Sequence, residues 1–273
     1  NTSTPSGGGI VIVMVSSILG LIFNEKIFIT CLPLSIVGLI DDFKEIKPFY
    51  RYLSQVLTVM ILISLESSSL INNIDDIYIK ILIYLITIFC STALINFTNF
   101  MDGIDGLVSC CMILYFSFIA LLYLPNASLV IPPLLAFVPF NKSPSKIFMG
   151  DIGSTFLGAL LAGFLIRLNN LDMVLAVLFI TIPFYGDAIF TLFMRLISGK
   201  NIFKAHKEHL YQRLVQSNLS HTAVTIIYLG LSSLNALCYC FFGKSCFMPL
   251  ILINIMTGYY YNNYVAKKFD QYL

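Results

Sequence analysis

Residues 77–106 read IYIKILIYLITIFCSTALINFTNFMDGIDG. The stretch from Ile77 to Ile95 carries a single charge, Lys80. About 20 apolar residues in a helix cross the hydrocarbon core of a bilayer. Lipid offers no partners for open backbone groups, so a span is a helix or part of a closed barrel. The run is continuous and does not alternate as a barrel strand would. It is therefore a membrane helix, and it opens directly into an acidic, amide-rich motif. The whole 273-residue chain shares this character, with 58% hydrophobic residues, 11% charged residues and a mean hydropathy of +0.88. A soluble domain carries about 25% charged residues. Composition thus excludes a soluble fold, and the same apolar excess excludes disorder.

Working outward, ten apolar segments are legible. They run over Gly9–Phe23, Phe28–Ile40, Tyr52–Leu65, Ile77–Ile95, Leu107–Leu124, Leu129–Phe140, Ser154–Leu168, Met173–Ile197, Ala223–Phe242 and Phe247–Tyr261. The expected architecture is all-α, a polytopic membrane protein with about ten transmembrane helices in one domain over residues 1–273. Pro132, Pro133, Pro139 and Pro183 lie inside segments and predict kinks. None of the seven cysteines forms a CxxC pair, and most sit in apolar runs, which reads as small buried hydrophobes. A net charge of +2 gives no nucleic-acid footprint.

Alternation of spans assigns loops to sides. The side of Gly7–Gly9 receives residues 41–51, 96–106, 141–153, 198–222 and the tail from Asn262. That side collects Lys44, Lys47, Arg51, Lys142, Lys146, Arg195, Lys200, Lys204, Lys207, Arg213, Lys267 and Lys268. The other side keeps Lys26, Lys80, Arg167 and Lys244. The positive-inside rule makes the first side cytoplasmic.

Five polar motifs fall on that side. Gly7-Gly8-Gly9 reads as a flexible helix entry or as a place where backbone approaches a ligand closely. Asp41-Asp42 ends an apolar span. Two adjacent acids there oppose the helix dipole and favour a nearby cation, although a solvated acidic helix end fits equally. Asn96, Asn99, Asp102 and Asp105 recur at every third position, which on a helix makes one polar stripe opposite Phe97, Phe100 and Ile104. Such a stripe suits a hydroxylated ligand or hydrated Mg²⁺. The spacing and terminal Glu of an EF-hand are absent. Asn141 precedes Phe148-Met149-Gly150-Asp151-Ile152-Gly153-Ser154, where Asp151 reads as a helix cap or a metal ligand, and Phe148 as a base-stacking ring or a membrane anchor. In Ala205-His206-Lys207-Glu208-His209-Leu210-Tyr211-Gln212-Arg213, a helix would put His206, His209 and Arg213 on one face with Lys207 beside them. That suits a pyrophosphate, or a basic helix on the membrane surface. There is no HExxH and no accompanying cysteine to argue for zinc. Asp187, inside a span, reads as paired with a polar neighbour rather than catalytic, and His221 as structural. Carboxylates for a divalent cation beside cations for phosphates are the equipment of phosphoryl transfer. A transporter, or flippase for lipid-linked substrates, and a non-catalytic membrane scaffold are the competing readings. The first would place its polar groups near the midplane, where this chain has few.

The set of motifs, in this order, resembles the polyprenyl-phosphate N-acetylhexosamine-1-phosphate transferase superfamily (MraY/WecA-like, glycosyltransferase family 4). The likeness runs from Pro5 to about His221. The stretch from Ala205 to Leu214, with Leu219-Ser220-His221, is most similar to the WbpL-type branch that initiates O-antigen. The resemblance implies transfer of HexNAc-1-phosphate from a UDP-HexNAc to undecaprenyl phosphate, with release of UMP. It implies a Mg²⁺ cofactor, with Mn²⁺ as a substitute, contact with membrane lipid, a bacterial inner-membrane location with a cytoplasmic active site, and a homodimer as a candidate assembly. It also implies a further span ahead of Asn1. Carried over by position, Asp151 resembles the Mg²⁺ ligand, with Asp102 and Asp42 as further candidates. Asp41 and Asp42 resemble the acidic pair at the acceptor phosphate, with Asp41 as positioning group or general base, and with Asp151 they are the catalytic candidates. Asp102, Asp105 and Asn141 resemble the nucleotide and metal surroundings, and Phe148 the aromatic that stacks on uracil; Asn96 and Asn99 of the polar stripe are further substrate-binding candidates. His206, Lys207 and His209 resemble the loop that contacts the sugar diphosphate, and Arg213 joins the substrate-binding candidates by its spacing. Lys207 stands where relatives often have Arg, which keeps the charge and loses the bidentate fork.

Overall fold

The computed structural model describes residues 4–66, 69–202, 204 and 206–269. Asn1, where the chain starts, and Ala205, which opens the histidine motif, lie outside them. The described residues form helices and connecting turns, with no strand among them. In order the helices are α1 (Gly9–Ile22), α2 (Lys26–Thr30), α3 (Leu32–Phe43), α4 (Pro48–Glu66), α5 (Ser69–Asn72), α6 (Ile77–Phe100) and α7 (Leu107–Leu122). Then follow α8 (Ile131–Asn141), α9 (Gly150–Arg167), α10 (Leu171–Ile180), α11 (Ile182–Ile197), α12 (Leu210–Gln216), α13 (His221–Phe242) and α14 (Phe247–Tyr260). The helices α4, α6 and α9 and the helical run His221–Val265 are long and apolar enough to cross a membrane, and α1 and α7 are shorter apolar helices.

Every apolar segment of the sequence is helical, but two are broken. The segment from Phe28 to Ile40 is split at Cys31 into α2 and α3. The segment from Met173 to Ile197 is bent by 78° between α10 and α11. The break falls at Thr181, whose backbone N–H closes α10 on Leu178, and Pro183 then occupies the first turn of α11, where its missing N–H costs nothing. Pro132 likewise starts α8 instead of kinking a longer span, after a tight 3₁₀ turn over Pro125–Val130. The run from His221 to Val265 doubles back at Gly243. Asn254 of α14 donates to the Asn235 side chain of α13 at 3.1 Å, and these two positions are nearly equidistant from the turn.

The hub is α9. Every residue from Ile152 to Ile166 is buried, as expected of a helix apolar on all sides. It packs on α6, α3, α4 and α1. Small residues permit the approach. A Cβ on Gly9 would lie 2.5 Å from the Gly153 Cα, and one on Gly158 would lie 2.8 Å from the Ile95 Cα. Outer helices instead expose large apolar side chains, such as Tyr78 and Phe89 on α6. The far end of α9 is tied by charge. Arg167 donates to both Glu25 oxygens at 2.6 Å and to Glu66 Oε2 at 2.8 Å, and Asn126 donates to Glu25.

Candidate active site

The near end of α9 gathers the polar motifs. The segment entering it is zipped to the triple-glycine loop: Gly8 and Gly9 donate to the carbonyls of Phe148 and Met149 at 2.9 Å, and Phe148 donates to that of Pro5. The glycines thus serve backbone-to-backbone packing. Gly150 sits at φ +76°, a conformation suited to glycine. A Cβ there would also lie 2.5 Å from Asp42 Oδ2. The Asp42 carboxylate, reaching over from α3, accepts from the Asp151 and Ile152 N–H groups at 2.9 and 3.2 Å. It satisfies two orphan donors of the α9 terminus and complements its dipole. The caution about Asp151 as a cap therefore falls on Asp42, which does the capping from another helix.

Asp41 and Asp151 are joined by a residue that sequence reading passed over except as a loop charge. Arg51, in the first turn of α4, places Nη1 2.6 Å from Asp41 Oδ2 and Nη2 2.8 Å from Asp151 Oδ2. The other Asp41 oxygen accepts from the Ile46 N–H at 2.7 Å. Its sequence signal was weak: one basic residue ten positions after the acids, on the same side.

The stripe 96–99–102–105 is not one helical face. Helix α6 stops at Phe100, and Gly103 and Gly106 carry the chain round a turn, with Gly106 at φ +80°. Asn96 is spent on a reciprocal amide pair with Gln55 of α4. Asn99 lies against Asp151, and its buried Nδ2 has no hydrogen-bond partner. Asp102 is half-buried, and its pKa is raised well above the carboxylate range. Loss of hydration is the main cause, and the charges of Asp151, Asp42 and Asp105 add to it. Asp105 accepts from the Ser145 N–H at 3.2 Å and lies 3.2 Å from His221 Nδ1, so His221 adjoins the site. Asn141 is structural: its Oδ1 accepts from Gly106 N–H and Ser109 Oγ, and its Nδ2 donates to the Ile147 carbonyl. Phe148 is 42% exposed, which leaves its ring open to a ligand face.

The histidine loop departs most from expectation. Helix α12 begins only at Leu210, so His206, His209 and Arg213 do not share a helical face. The start is fixed by Asp187 of α11, which accepts from the Leu210 and Tyr211 N–H groups at 2.7 and 3.0 Å and from Tyr228 Oη at 2.7 Å. Asp187 is thus paired with polar neighbours, as its sequence suggested. Arg213 is 1% exposed and points away. It donates to the Glu208 and Lys267 carbonyls at 3.0 Å and to Asn262 Oδ1 at 2.6 Å. The expectation that it meets a diphosphate is corrected: its donors anchor the C-terminal segment. The two histidines are not cations either. Burial first, then His209 and Arg195, lower the His206 pKa to about 4. Burial lowers that of His209 as well, against the pull of Asp187. Both rings are neutral at pH 7, 4.9 Å apart, and His209 Nδ1 is buried without a hydrogen bond. Lys207 is exposed. The loop joins the acids through Tyr211, whose Oη donates to the Phe100 carbonyl at 2.8 Å.

Comparison with known proteins bears on this geometry. The family model described as Glycosyl transferase family 4 matches residues 25–169, a stretch that includes Asp41, Asp42, Arg51, Asp102, Asp105 and Asp151. The chain belongs to glycosyl transferase family 4. A phospho-N-acetylmuramoyl-pentapeptide-transferase of Fervidobacterium nodosum is 29% identical over 236 residues, covering 78% of this chain and 74% of the relative. A probable undecaprenyl-phosphate N-acetylglucosaminyl 1-phosphate transferase of Bacillus subtilis is 26% identical over 212 residues, 71% of this chain and 59% of the relative. An undecaprenyl-phosphate alpha-N-acetylglucosaminyl 1-phosphate transferase of Thermotoga maritima is 28% identical over 195 residues, 70% and 63% of the two chains. In this glycosyl transferase family 4 member, no three acidic, histidine or cysteine side chains among the described residues converge on one point as a ready metal cage. Mg²⁺ needs none: it keeps several waters and binds through one or two carboxylates plus substrate phosphates. Asp151 and Asp102 fit that donor set. The Asp151 charge adds to the loss of hydration that raises the Asp102 pKa.

Proposed function

We propose that the chain transfers HexNAc-1-phosphate from a UDP-HexNAc to undecaprenyl phosphate, giving undecaprenyl-diphospho-HexNAc and UMP. The reaction would run on the cytoplasmic face of the bacterial inner membrane and begin an O-antigen or other envelope glycan. The observation that carries this reading is the meeting at one helix terminus of acids from three separate motifs, Asp41–Asp42, Asp102–Asp105 and Asp151. The names of the relatives support the same reaction class.

An acceptor phosphate oxygen attacks the sugar-bearing phosphorus, and the bond to the UMP oxygen breaks, with its electron pair leaving on UMP. A phosphate monoester has its second pKa near 6, so the acceptor is mostly dianionic at pH 7 and needs little help from a general base. Asp41, held by Arg51 and the Ile46 N–H, is therefore a positioning group. When bound, Mg²⁺ would be held by Asp151 and Asp102 and would supply charge neutralisation at the diphosphate. The exposed Phe148 ring offers a face for uracil, and the part-exposed, neutral His206 offers an N–H donor to the diphosphate, with the buried His209 ring behind it.

Ten spans with the motif loops cytoplasmic complete the proposal. Reporter fusions at Asn126 and Lys142 should face opposite sides. The decisive assay is UMP release from a panel of UDP-HexNAc donors with undecaprenyl phosphate, with and without Mg²⁺. Release from none of them overturns the proposal, and substrate movement without UMP would mark a transporter. Asp151→Asn should abolish release; near-normal turnover would remove Asp151 from the cation site. Intact activity in His206→Ala would remove that ring from the diphosphate.

A further inference from the structure

The Asp41 and Asp151 carboxyls come from different helices and face each other. Two such anions in contact repel, so they need a shared proton or a cation between them. Arg51 is that cation. Its two terminal nitrogens divide between the acids at 2.6 and 2.8 Å. The planar fork of arginine suits this bridging, where a lysine ammonium would be a single point.

The two acids are not equally committed. Asp41 keeps a second partner, the Ile46 N–H, if Arg51 leaves. Among the described residues Asp151 makes no other ion pair; Asp41 itself and the Asn99 side chain, whose Nδ2 makes no hydrogen bond, lie against it. Arg51 sits in the first turn of α4, and its side chain is 32% exposed, so it has room to swing outward while its helix stays fixed. A guanidinium delivers one positive charge to a cluster of five acidic side chains, Asp41, Asp42, Asp102, Asp105 and Asp151; a divalent cation delivers two.

We propose that Arg51 is a displaceable counter-ion, holding Asp151 in the cation-free protein and giving it up when the divalent cation binds. Arg51 thereby sets how tightly the cation is held. The inference rests on the reading of Asp151 as a cation ligand. Its consequence is a sign: removing Arg51 tightens cation binding. An arginine that merely aimed Asp151 at the metal would give the opposite result.

The test uses the detergent-purified full chain without substrates. Mn²⁺ is titrated in, and free Mn²⁺ is followed by electron paramagnetic resonance. Arg51→Gln should lower the half-saturating Mn²⁺ concentration by at least about fivefold, the lower end of usual coupling between two ligands. Arg51→Lys, which keeps the charge and loses the fork, should fall between. Asp151→Asn identifies the site by losing it. In the wild-type protein, where folding is not in question, Mn²⁺ should speed modification of Arg51 by phenylglyoxal, read by mass spectrometry of the peptide. Unchanged or weaker Mn²⁺ binding in Arg51→Gln, or protection of Arg51 by Mn²⁺, overturns the inference. Wild-type UMP release is scored separately. Turnover with no effect of Arg51 on Mn²⁺ sinks this inference alone, and tighter Mn²⁺ binding in Arg51→Gln without turnover sinks the proposed reaction alone.

Discussion

Replacing Asp187 by alanine should release the histidine loop without touching the acidic cluster. The Asp187 carboxylate accepts from Leu210 N–H at 2.7 Å, Tyr211 N–H at 3.0 Å, Tyr228 Oη at 2.7 Å and Thr191 Oγ1 at 3.1 Å. Thr191 can turn its hydroxyl to the carbonyl one helical turn back. The other three donors lose their acceptor. Each buried donor left unpaired costs about 1–3 kcal/mol. The sum is about 3–9 kcal/mol before relaxation. A cavity of about 300 Å³ lined by Asp187, Leu210 and Tyr228 can admit water to some of them, which favours the lower end. A local loss of about 3 kcal/mol corresponds to roughly a hundredfold faster opening, at tenfold per 1.4 kcal/mol. Hydrogen exchange of the amides from 210 to 216 should therefore accelerate about a hundredfold, with α9 amides unchanged. Asp187→Asn keeps one acceptor oxygen and should show a smaller effect. If exchange over 210–216 is unaltered in Asp187→Ala, the carboxylate does not hold α12. If the whole chain exchanges faster, the effect is global and the local account fails.

Gly150→Ala forces a side chain into a left-handed conformation and onto Asp42. It should cost about 1–2 kcal/mol from backbone strain, seen as a lower thermal midpoint, while Gly258→Ala, inside α14 with nothing within 4 Å, should not lower it. The low pKa of His206 means that the unfolded chain binds more protons between pH 6.5 and about 4. Stability from this ring is complete above pH 6.5 and declines as pH falls toward 4, so His206→Gln should flatten the melting-temperature profile in that window. Arg213→Ala should lower the thermal midpoint and speed exchange of the amides near Asn262, yet leave UDP-sugar affinity unchanged. A selective loss of affinity would restore Arg213 to the ligand.

What the sequence disclosed and withheld follows from the range of each interaction. Apolar length is local, so each segment became a helix. The polar end of α6, up to Phe100, lies beyond the apolar run, and its partner there, Gln55 on the Asn96 amide, is 41 positions away in sequence. The turn at Gly103–Gly106 was visible in the glycines but lost to the period-three pattern. The acids of the site were legible because carboxylates are rare in so apolar a chain. Their partners were not: Asp42 caps a helix 109 positions on, and Arg51 reaches Asp151 only once α3, α4 and α9 are packed. Spacing misled at Arg213, because the helix that would have aligned it with His206 is cut short by Asp187.

The burial of α9 bears on how the chain enters the membrane. Of the four long helical stretches it has the lowest mean hydropathy, and its surface meets protein on nearly every side. A translocon releasing this segment into bare lipid would gain little from it. The helices that sheathe it, α1, α3, α4 and α6, all precede it in synthesis, so their groove can be waiting when α9 emerges. A circular permutant that delivers α9 ahead of α3 and α4 should therefore insert poorly, although every native contact remains encoded.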